Sequence, residues 1–291
     1  MTGESSRLRI AVLIASYNRR DITVRAVRAV MAAREAADLQ VVLFDDGSSD
    51  GTVQAVTAAD PRVIILNGDG DAFWNGGLYR AWERALTLDV HAFLWLNDDV
   101  LLDDNAILRL VDSYHSLERE NENDNFILVG ATRNAFGALT YSGKKYRHYP
   151  FAFVLDLVTP DPQVMRSIDA FNGNIVLVPR GVVDVIGIND PRFSHGFGDY
   201  EYGLRASRRG VPVWLMPGTL GVCEANARPR SKGFGGSDVS FREQWRMVNT
   251  PKGLPFRDWW RITRRYSGVW FPLHFIGPYR WLLLPRRFRR G

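Results

Sequence analysis

Four stretches between residues 10 and 100 decide the fold: IAVLIAS (10–16), FDDGSSDGT (44–52), FWNGGL (73–78) and FLWLNDDV (93–100). Short apolar runs without polar alternation are typical of parallel strands that are covered on both faces. Ligands of such sheets bind beyond the carboxyl ends of the strands. Two of the runs end in paired aspartates, so acidic side chains should meet at one edge of the sheet.

The first hundred residues predict alternating strands and helices, and therefore an α/β fold with a mostly parallel central sheet flanked by helices. The predicted strands cover residues 9–15, 40–44, 63–66 and 92–96, and the predicted helices cover 22–36, 51–57 and 77–87. Farther along, the pattern predicts helices at 104–118, 181–186 and 199–209 and strands at 126–130, 139–141, 174–178 and 212–216. Residues 144–150, rich in basic and aromatic side chains, are expected to form a loop.

Charge is distributed unevenly along the 291 residues. The net charge is +5, but residues 251–291 carry +9 by themselves, which leaves −4 for residues 1–250. The net negative charge of residues 1–250 argues against nucleic acid as a partner. The single cysteine, Cys223, excludes an internal disulfide and fits a reducing compartment. Because no apolar run reaches the roughly 20 residues of a membrane-spanning helix, and no signal-peptide pattern opens the chain, the expected location is the cytoplasm.

The two acidic turns have a structural and a functional interpretation. Asp45 and Asp46 follow one predicted strand, and Asn97, Asp98 and Asp99 follow another. Such residues cap helices, but consecutive carboxylates repel each other unless a cation or hydroxyl donors meet them. Hard divalent cations prefer carboxylate oxygens and keep positions open for phosphate oxygens. Together the two turns favour a nucleotide held through its base and ribose, with a divalent metal on its diphosphate.

The FWNGGL segment predicts a donor contact at the start of a helix. One alternative is a turn with a core tryptophan. The other is that backbone N–H groups at Gly76 and Gly77, beside Asn75, approach a ribose or diphosphate while Trp74 stacks on a sugar or base. We expect the second.

The segment HGFGDYEYGLRASRRG (195–210) contains the candidate general base. On a helix Glu201 and Arg205 stand at i and i+4 and can pair, which suits a structural role. Asp199 would not share their face. A carboxylate at a helix start that faces a pocket can take a proton from a hydroxyl group, so we expect Asp199 to be the base.

Taken together, residues 9–221 resemble glycosyltransferase family 2, inverting enzymes of the GT-A fold that use nucleotide-diphosphate sugars. The FWNGG and LNDD segments look similar to bacterial rhamnosyl- and galactofuranosyl-transferring members. The resemblance implies nucleoside contacts from the end of the first strand and from the acidic turn, a DxD-like metal motif and a catalytic aspartate. The implied nucleotide- and donor-binding residues are Ala15, Tyr17, Asp45, Asp46, Trp74, Asn75, Gly76, Gly77, Asn97 and Asp98; the implied metal ligand is Asp99, and the implied catalytic base is Asp199.

The chain departs from the family pattern at three points. Asn97 replaces the first acid of the metal motif, and Gly198 stands where a glutamate is usual. Many members carry a metal-binding histidine after the catalytic helix, whereas here the stretch is GVCEANARP. Cys223, Glu224 or Asn226 would have to substitute, or the metal has one protein ligand.

The sequence is expected to divide into a GT-A catalytic domain (1–220), a mobile loop or linker (221–250) and a basic, aromatic C-terminal extension (251–291). Aromatic residues interleaved with arginines suit the headgroup region of an anionic membrane. The alternative is packing on the catalytic domain or on a second copy. We expect membrane contact, at the inner face of the plasma membrane.

These features predict an inverting, metal-dependent enzyme that moves a sugar from a UDP- or dTDP-sugar, with a preference for dTDP-rhamnose, to a hydroxyl of a glycan or lipid-linked acceptor. The expected cofactor is Mn²⁺ or Mg²⁺, and the expected setting is cell-surface polysaccharide synthesis. The alternative from another class is a non-catalytic sugar-nucleotide-binding scaffold subunit. A nucleotidyltransferase needs a glycine-rich, basic loop after the first strand, and a dinucleotide dehydrogenase needs GxGxxG there; Ser16–Tyr17–Asn18 offers neither.

Overall fold

The computed structural model describes residues 7–225, 241–250 and 253–279. Within these residues the strands are β1 (Arg9–Ser16), β2 (Asp38–Asp45), β3 (Ile64–Asn67), β4 (Ala92–Leu96), β5 (Leu101–Leu102), β6 (Ile127–Arg133), β7 (Leu139–Tyr141), β8 (Gly143–Tyr149), β9 (Ala152–Leu157), β10 (Arg166–Ser167), β11 (Ala170–Phe171), β12 (Ile175–Pro179) and β13 (Val213–Val222). The helices are α1 (Arg20–Ala32), α2 (Thr52–Ala59), α3 (Phe73–Ala85), α4 (Ala106–Asn121), α5 (Arg180–Ile186), α6 (Gly198–Arg208), α7 (Phe241–Val248), α8 (Phe256–Tyr266) and α9 (Phe271–Ile276).

The predicted parallel sheet forms from the first four strands. β3, β2, β1 and β4 are parallel neighbours in that order, and Ser16 at the end of β1 is in register with Asp45 at the end of β2. Alternate residues of β1 enter two core clusters on opposite faces, with Val12 in one and Leu13 in the other. A strand that is covered on both faces has no polar alternation, as the sequence predicted.

The second half of the sheet is mixed. β12 lies antiparallel between β4 and β6, and β13 is parallel to β6. A three-stranded antiparallel sheet of β11, β8 and β9 stands beside it. The predicted α/β architecture is therefore confirmed. The run of parallel neighbours is interrupted after β4 by the antiparallel strand β12.

The prediction of a loop at residues 144–150 was wrong, because residues 144–149 pair with β9 and only Pro150 lies in the turn that follows. Its aromatic side chain at Tyr146 packs in a third core cluster with Phe153 of β9. That cluster also contains Trp259 and Ile262 of α8. The partners that bury one face of this hairpin come from a distant part of the chain, so the local pattern did not show it.

The C-terminal helices belong to the same core. Trp259 stacks edge-on against Phe153, and its indole N–H donates to the Phe275 carbonyl oxygen at 3.0 Å. Tyr279 donates its hydroxyl to the Leu254 carbonyl oxygen at 3.0 Å. Residues 253–279 therefore pack on the domain, and α7 lies within the segment that was expected to be a loop. In the part of the chain that the structure describes, no helix is long and apolar enough to cross a membrane.

Candidate active site

The carboxyl ends of β1, β2 and β4 form one edge of the sheet, and the predicted site residues lie along it. The Asp46 N–H donates to the Ser16 carbonyl oxygen at 2.9 Å, which joins the ends of β1 and β2. Tyr17, directly after β1, is 54% exposed, and Ala15 is half-buried. The end of β1 is thus open to a ligand.

The two aspartates of the first acidic turn differ in their surroundings. Asp45 is buried; one carboxylate oxygen accepts the Ser48 N–H at 2.9 Å, and the other has no hydrogen-bond partner. Buried polar atoms are rarely left unsatisfied, so this oxygen is a candidate acceptor for a nucleoside donor group. Asp46 instead accepts three backbone N–H groups, from Gly70, Ala72 and Phe73, and holds the entry into α3.

The helix α3 begins at Phe73, four residues earlier than predicted, which changes the interpretation of the two glycines. Gly77 lies inside the helix and is buried against the sheet: a Cβ there would stand 2.9 Å from the Phe44 ring and 3.0 Å from Ala15. Its backbone is therefore not a free helix terminus, and close packing explains the glycine. Gly76 is half-buried near the helix start.

Asn75 is fully buried, which corrects the expectation of a donor contact. Its amide donates to the carbonyl oxygens of Asp190 and Phe193 at 2.9 and 2.8 Å, and it receives two hydrogen bonds from Asn189. The side-chain oxygen of Asn75 would be 1.9 Å from a Cβ at position 198. Asn75 thus fastens α3 to the loop before α6 and accounts for Gly198 in place of the glutamate usual in the resembled family.

Trp74 lies between the acidic motif and the catalytic segment. Its indole N–H donates to the Asn97 side-chain oxygen at 2.7 Å, and its ring covers Gly173, where a Cβ would lie 2.5 Å from it. The Asn97 N–H in turn donates to the Asn174 carbonyl oxygen at 3.1 Å. The tryptophan is half-buried and held in place, so one part of its ring surface remains for a ligand.

A single guanidinium group joins the two aspartates of the second motif. Arg19 Nη1 lies 2.9 Å from Asp98 Oδ1 and 2.9 Å from Asp99 Oδ2. Burial raises the pKa of Asp98 to about 6, although Arg19 opposes that rise. The paired carboxylates therefore have a positive partner within the protein.

The same carboxylates fit a hard divalent ion. No group of three or more metal-ligating side chains occurs among the described residues, so a metal here would have few protein ligands. That donor set is typical of Mg²⁺ and Mn²⁺, which bind one or two carboxylates together with phosphate oxygens of a substrate. An ion at Asp99 would add positive charge beside the Arg19 guanidinium.

Cys223, one of the proposed histidine substitutes, contacts the predicted metal ligand Asp99. Its thiol donates to Asp99 Oδ1 at 3.5 Å and accepts from the Asn174 amide at 3.5 Å. Burial, and next the nearby Asp99 carboxylate, raise the pKa of the thiol in the metal-free protein. Glu224 accepts the Ala135 N–H at 2.9 Å, and Asn226 lies outside the described residues.

Asp199 lies at the start of α6 and points to the same edge. Its carboxylate accepts the Gly173 N–H at 3.1 Å and the Tyr200 N–H at 2.8 Å. Burial raises the pKa of Asp199 to about 7, while these two N–H groups and the charge of Lys144 oppose the rise. The Trp74 ring also packs on Gly173, so the Asp199 carboxylate lies beside the segment that contains Trp74.

Glu201 faces the other way and has the structural role that its spacing predicted. It is 1% exposed and pairs with Arg205 at 3.2 Å and with Arg265 of α8 at 2.8 Å. The Tyr266 hydroxyl also donates to it at 3.0 Å. These partners account for its burial.

A model of the family "Glycosyl transferase family 2" matches residues 11–160, more than half of the chain. The chain belongs to this family. It is therefore a glycosyltransferase, and its α/β structure is the GT-A fold. No curated protein matches the chain significantly.

Solved structures of glycosyltransferases share the fold at low identity. A mannosyltransferase from Pyrobaculum calidifontis, solved with GDP-Man and Mn²⁺, has a TM-score of 0.54 and 14% identity over 98% of this chain and 72% of its own. GalNAc-T7, solved with UDP, GalNAc and Mn²⁺, has a TM-score of 0.57 and 14% identity over 96% of this chain and 56% of its own. TarS from S. aureus has a TM-score of 0.54 and 11% identity over 90% of this chain and 44% of its own. The chain thus spans between under half and about three quarters of the lengths of these structures.

Sequence reasoning missed two residues of the candidate site. Arg19 follows SYN directly after β1, and a cation at a strand end beside predicted acids was a usable signal. Gly173 gave no such signal, because its contacts with Trp74 and Asp199 join segments far apart in the chain.

Proposed function

We propose that this glycosyltransferase transfers a sugar, with inversion, from a nucleotide-diphosphate donor to a hydroxyl group of a glycan or lipid-linked acceptor. The observation that carries the proposal is the position of Asp199. It is a buried carboxylate at the start of α6, connected through Gly173 and Trp74 to the edge that carries Asp45, Asp98 and Asp99. A base beside a diphosphate site is the arrangement that inversion by a single displacement needs.

In this mechanism Asp199 takes the proton of the acceptor hydroxyl, whose oxygen attacks the anomeric carbon opposite the leaving nucleotide diphosphate. A base is most effective when its pKa lies near the working pH, and the pKa of Asp199 is about 7. The Gly173 and Tyr200 N–H groups fix the direction of the carboxylate. Trp74 closes the space between the base and the acidic edge.

Donor binding rests on the ends of β1, β2 and β4. Asp45 has an unpartnered oxygen for the nucleoside, and Ala15 and Tyr17 line the open end of β1. We favour a UDP- or dTDP-sugar, and dTDP-rhamnose among them, for synthesis of a cell-surface polysaccharide. This preference rests on the likeness of the FWNGG and LNDD segments to rhamnosyl-transferring relatives.

Mn²⁺ or Mg²⁺ is the proposed cofactor, held by Asp99 with Asp98 beside it. When bound, the ion neutralises the leaving diphosphate. Arg19 provides a second positive charge at this position because it already contacts both carboxylates.

Donor turnover tests the enzyme proposal. We would measure nucleotide diphosphate release from a panel of UDP-, dTDP- and GDP-sugars with Mn²⁺ or Mg²⁺, for the wild type, Asp99→Ala, Asp199→Asn and the exposed control Asp184→Asn. One donor should be turned over, Asp99→Ala should abolish turnover, and Asp199→Asn should lower it by about 10²- to 10⁴-fold. Nucleotide binding without turnover of any donor, with or without added acceptor glycans, would favour the scaffold alternative.

Contact with an anionic membrane at the cytoplasmic face is the proposed setting. An apolar ridge of Tyr149, Phe151, Val269, Leu273 and Ile276 is exposed, with Val269 at 87% and Phe151 at 71%. The His274 ring N–H donates to the Tyr149 carbonyl oxygen at 2.6 Å, which joins the two parts of the ridge. Exposed arginines of α8 lie beside it in the chain, and apolar rings next to arginines suit anionic headgroups.

The membrane proposal is tested with phosphatidylglycerol vesicles. Val269→Ser/Leu273→Ser should lower sedimentation with the vesicles severalfold, because both side chains would lose their place in the acyl boundary. The control Leu108→Ser/Val185→Ser removes two other exposed apolar side chains, on α4 and α5. Equal sedimentation of both variants would overturn the proposal.

A further inference from the structure

A charged cavity lies behind α6, away from the sheet edge that contains Asp45, Asp98 and Asp99 (the acidic edge). It has a volume of about 780 Å³ and is lined by five arginines: Arg192, Arg205, Arg208, Arg209 and Arg265. Glu201, Arg205 and Arg208 follow each other at helical spacing on α6, whereas Asp199 is about 200° around the helix from Glu201. Neither Asp199 nor any aspartate of the acidic edge lines this arginine cavity.

The arginine cavity has more positive charge than its own carboxylates neutralise. Asp190 and Glu201 are the acidic side chains in its lining. Arg265 lies 2.8 Å from each of them, so the two acids are already engaged within the protein. Arg208 and Arg209 are exposed and form no ion pair with any described residue. With five arginines and two acids, the lining has an excess of three positive charges.

Four of the five arginines are also held in position by hydrogen bonds: Arg192, Arg205, Arg208 and Arg265. Asp190 accepts hydrogen bonds from Arg192 and Arg265 at 2.7 and 2.8 Å, and Arg208 donates to the Arg265 carbonyl oxygen at 2.7 Å. Guanidinium groups match phosphate oxygens in pairs, and a preformed set loses less side-chain entropy on binding. A cavity of about 780 Å³ is large enough for a phosphate or diphosphate group with part of its substituent.

We propose that the arginine cavity binds a phosphate-class anion at a site separate from the nucleotide-sugar site. Two sources have this chemistry: a soluble phosphate or diphosphate, and the headgroup of a phospholipid or lipid-linked phosphate. The second source is supported by the position of the apolar ridge, because Arg265 precedes Val269 of that ridge by four residues, which is at most about 14 Å of chain. The proposal does not depend on the catalytic role of Asp199.

Calorimetry with inorganic pyrophosphate in EDTA tests the soluble source. The variants are Arg208→Gln/Arg209→Gln and the control Arg25→Gln/Arg28→Gln, which removes two exposed arginines of α1. The first variant should bind pyrophosphate about tenfold or more weakly than the wild type, while the control should bind it equally. Thermal unfolding checks that each variant is folded, and Arg192→Gln replaces the double variant if it is not.

Sedimentation of the same proteins with phosphatidylglycerol and phosphatidylcholine vesicles tests the lipid source. Loss of pyrophosphate binding in the cavity variant assigns a soluble phosphate-class ligand. Loss of binding to phosphatidylglycerol alone assigns a lipid headgroup. If neither ligand binds, or if both bind the cavity variant as well as they bind the wild type, the proposal is overturned.

Discussion

Asp199 is the residue whose burial has the clearest consequence for stability. Its pKa is raised from 3.8 to about 7 by burial, so the folded state holds a proton that the unfolded chain releases. The raised pKa therefore costs no stability below pH 3.8; the cost grows as the pH rises from 3.8 to about 7 and is complete above about 7. Asp199→Asn avoids this cost, and after the loss of one backbone acceptor the variant should gain about 2 kcal/mol of unfolding free energy at pH 8.

Chemical denaturation at pH 5 and pH 8 measures this difference. The gain of Asp199→Asn over the wild type should shrink at pH 5, where the wild-type carboxyl is protonated in the fold. Asp184→Asn, exposed on α5, should show no such dependence. A gain that is the same at both pH values would show that the pKa of Asp199 is not raised.

Gly198 is required by the side chain of Asn75. A methyl group at this position would lie 1.9 Å from the Asn75 oxygen, which is fixed by hydrogen bonds from Asn189. Gly198→Ala should therefore lower the unfolding free energy by about 2 kcal/mol, a typical cost of overpacking. Gly196→Ala is the matched control, because nothing lies within 4 Å of its added Cβ. Equal stability of the two variants would mean that the Asn75 network adjusts freely.

At this scale the sequence predicts residues at strand ends and misses residues that are joined across the fold. Asp45 and Asp98 were expected at one edge because parallel strands bring their carboxyl ends together, and the structure places them there. Asn75 was expected to contact the sugar donor because the residues next to it in the chain suit a donor-binding segment. Its actual partners at Asp190 and Phe193 lie more than a hundred residues away, which no local pattern shows.

One ion-pair network joins the helices α6 and α8. Glu201 of α6 is 1% exposed and depends on Arg265 of α8 for its shortest ion pair. Loss of Arg265 leaves the buried Glu201 carboxylate with only the longer Arg205 ion pair and the Tyr266 hydroxyl, so Arg265→Met should cost about 2 kcal/mol of unfolding free energy. Arg264→Met changes the adjacent, exposed arginine and should cost less than about 1 kcal/mol. Equal costs, measured by urea denaturation, would contradict this role for Arg265.

Elements were predicted well where they are buried within a local unit, and poorly where their partners are distant. The strands of the parallel sheet were placed to within a few residues because each is a continuous apolar run. The hairpin of β8 and β9 was missed because its buried face meets α8, about 110 residues along the chain. The start of α3 was placed late because Asp46, rather than a neighbouring residue, accepts its first N–H groups.

Over the whole molecule, the division into a catalytic domain and a C-terminal extension needs revision for residues 253–279. Their charge and aromatic content set them apart in composition, but their buried side chains complete the third core cluster with Phe193 and Leu204. Composition tells which residue types a segment contains, but it does not tell which surface covers them. The apolar ridge remains on the outside of this packed segment, so packing on the domain and contact with a membrane are compatible.

Truncation tests this revision. Removing residues 253–291 takes away Trp259, Ile262 and Tyr279, each buried in the third cluster. Burial of one large apolar side chain contributes about 1.5–3 kcal/mol, so the loss of three approaches the whole stability of a domain, about 5–15 kcal/mol. The truncated protein should aggregate or lose its cooperative thermal transition. Removing residues 280–291 alone keeps every contact among the described residues, so this variant is the control for chain length. If a protein of residues 1–252 unfolds cooperatively at the melting temperature of the full-length protein, residues 253–291 are a separate extension as the sequence predicted. Only in that case is truncation a valid test of membrane contact.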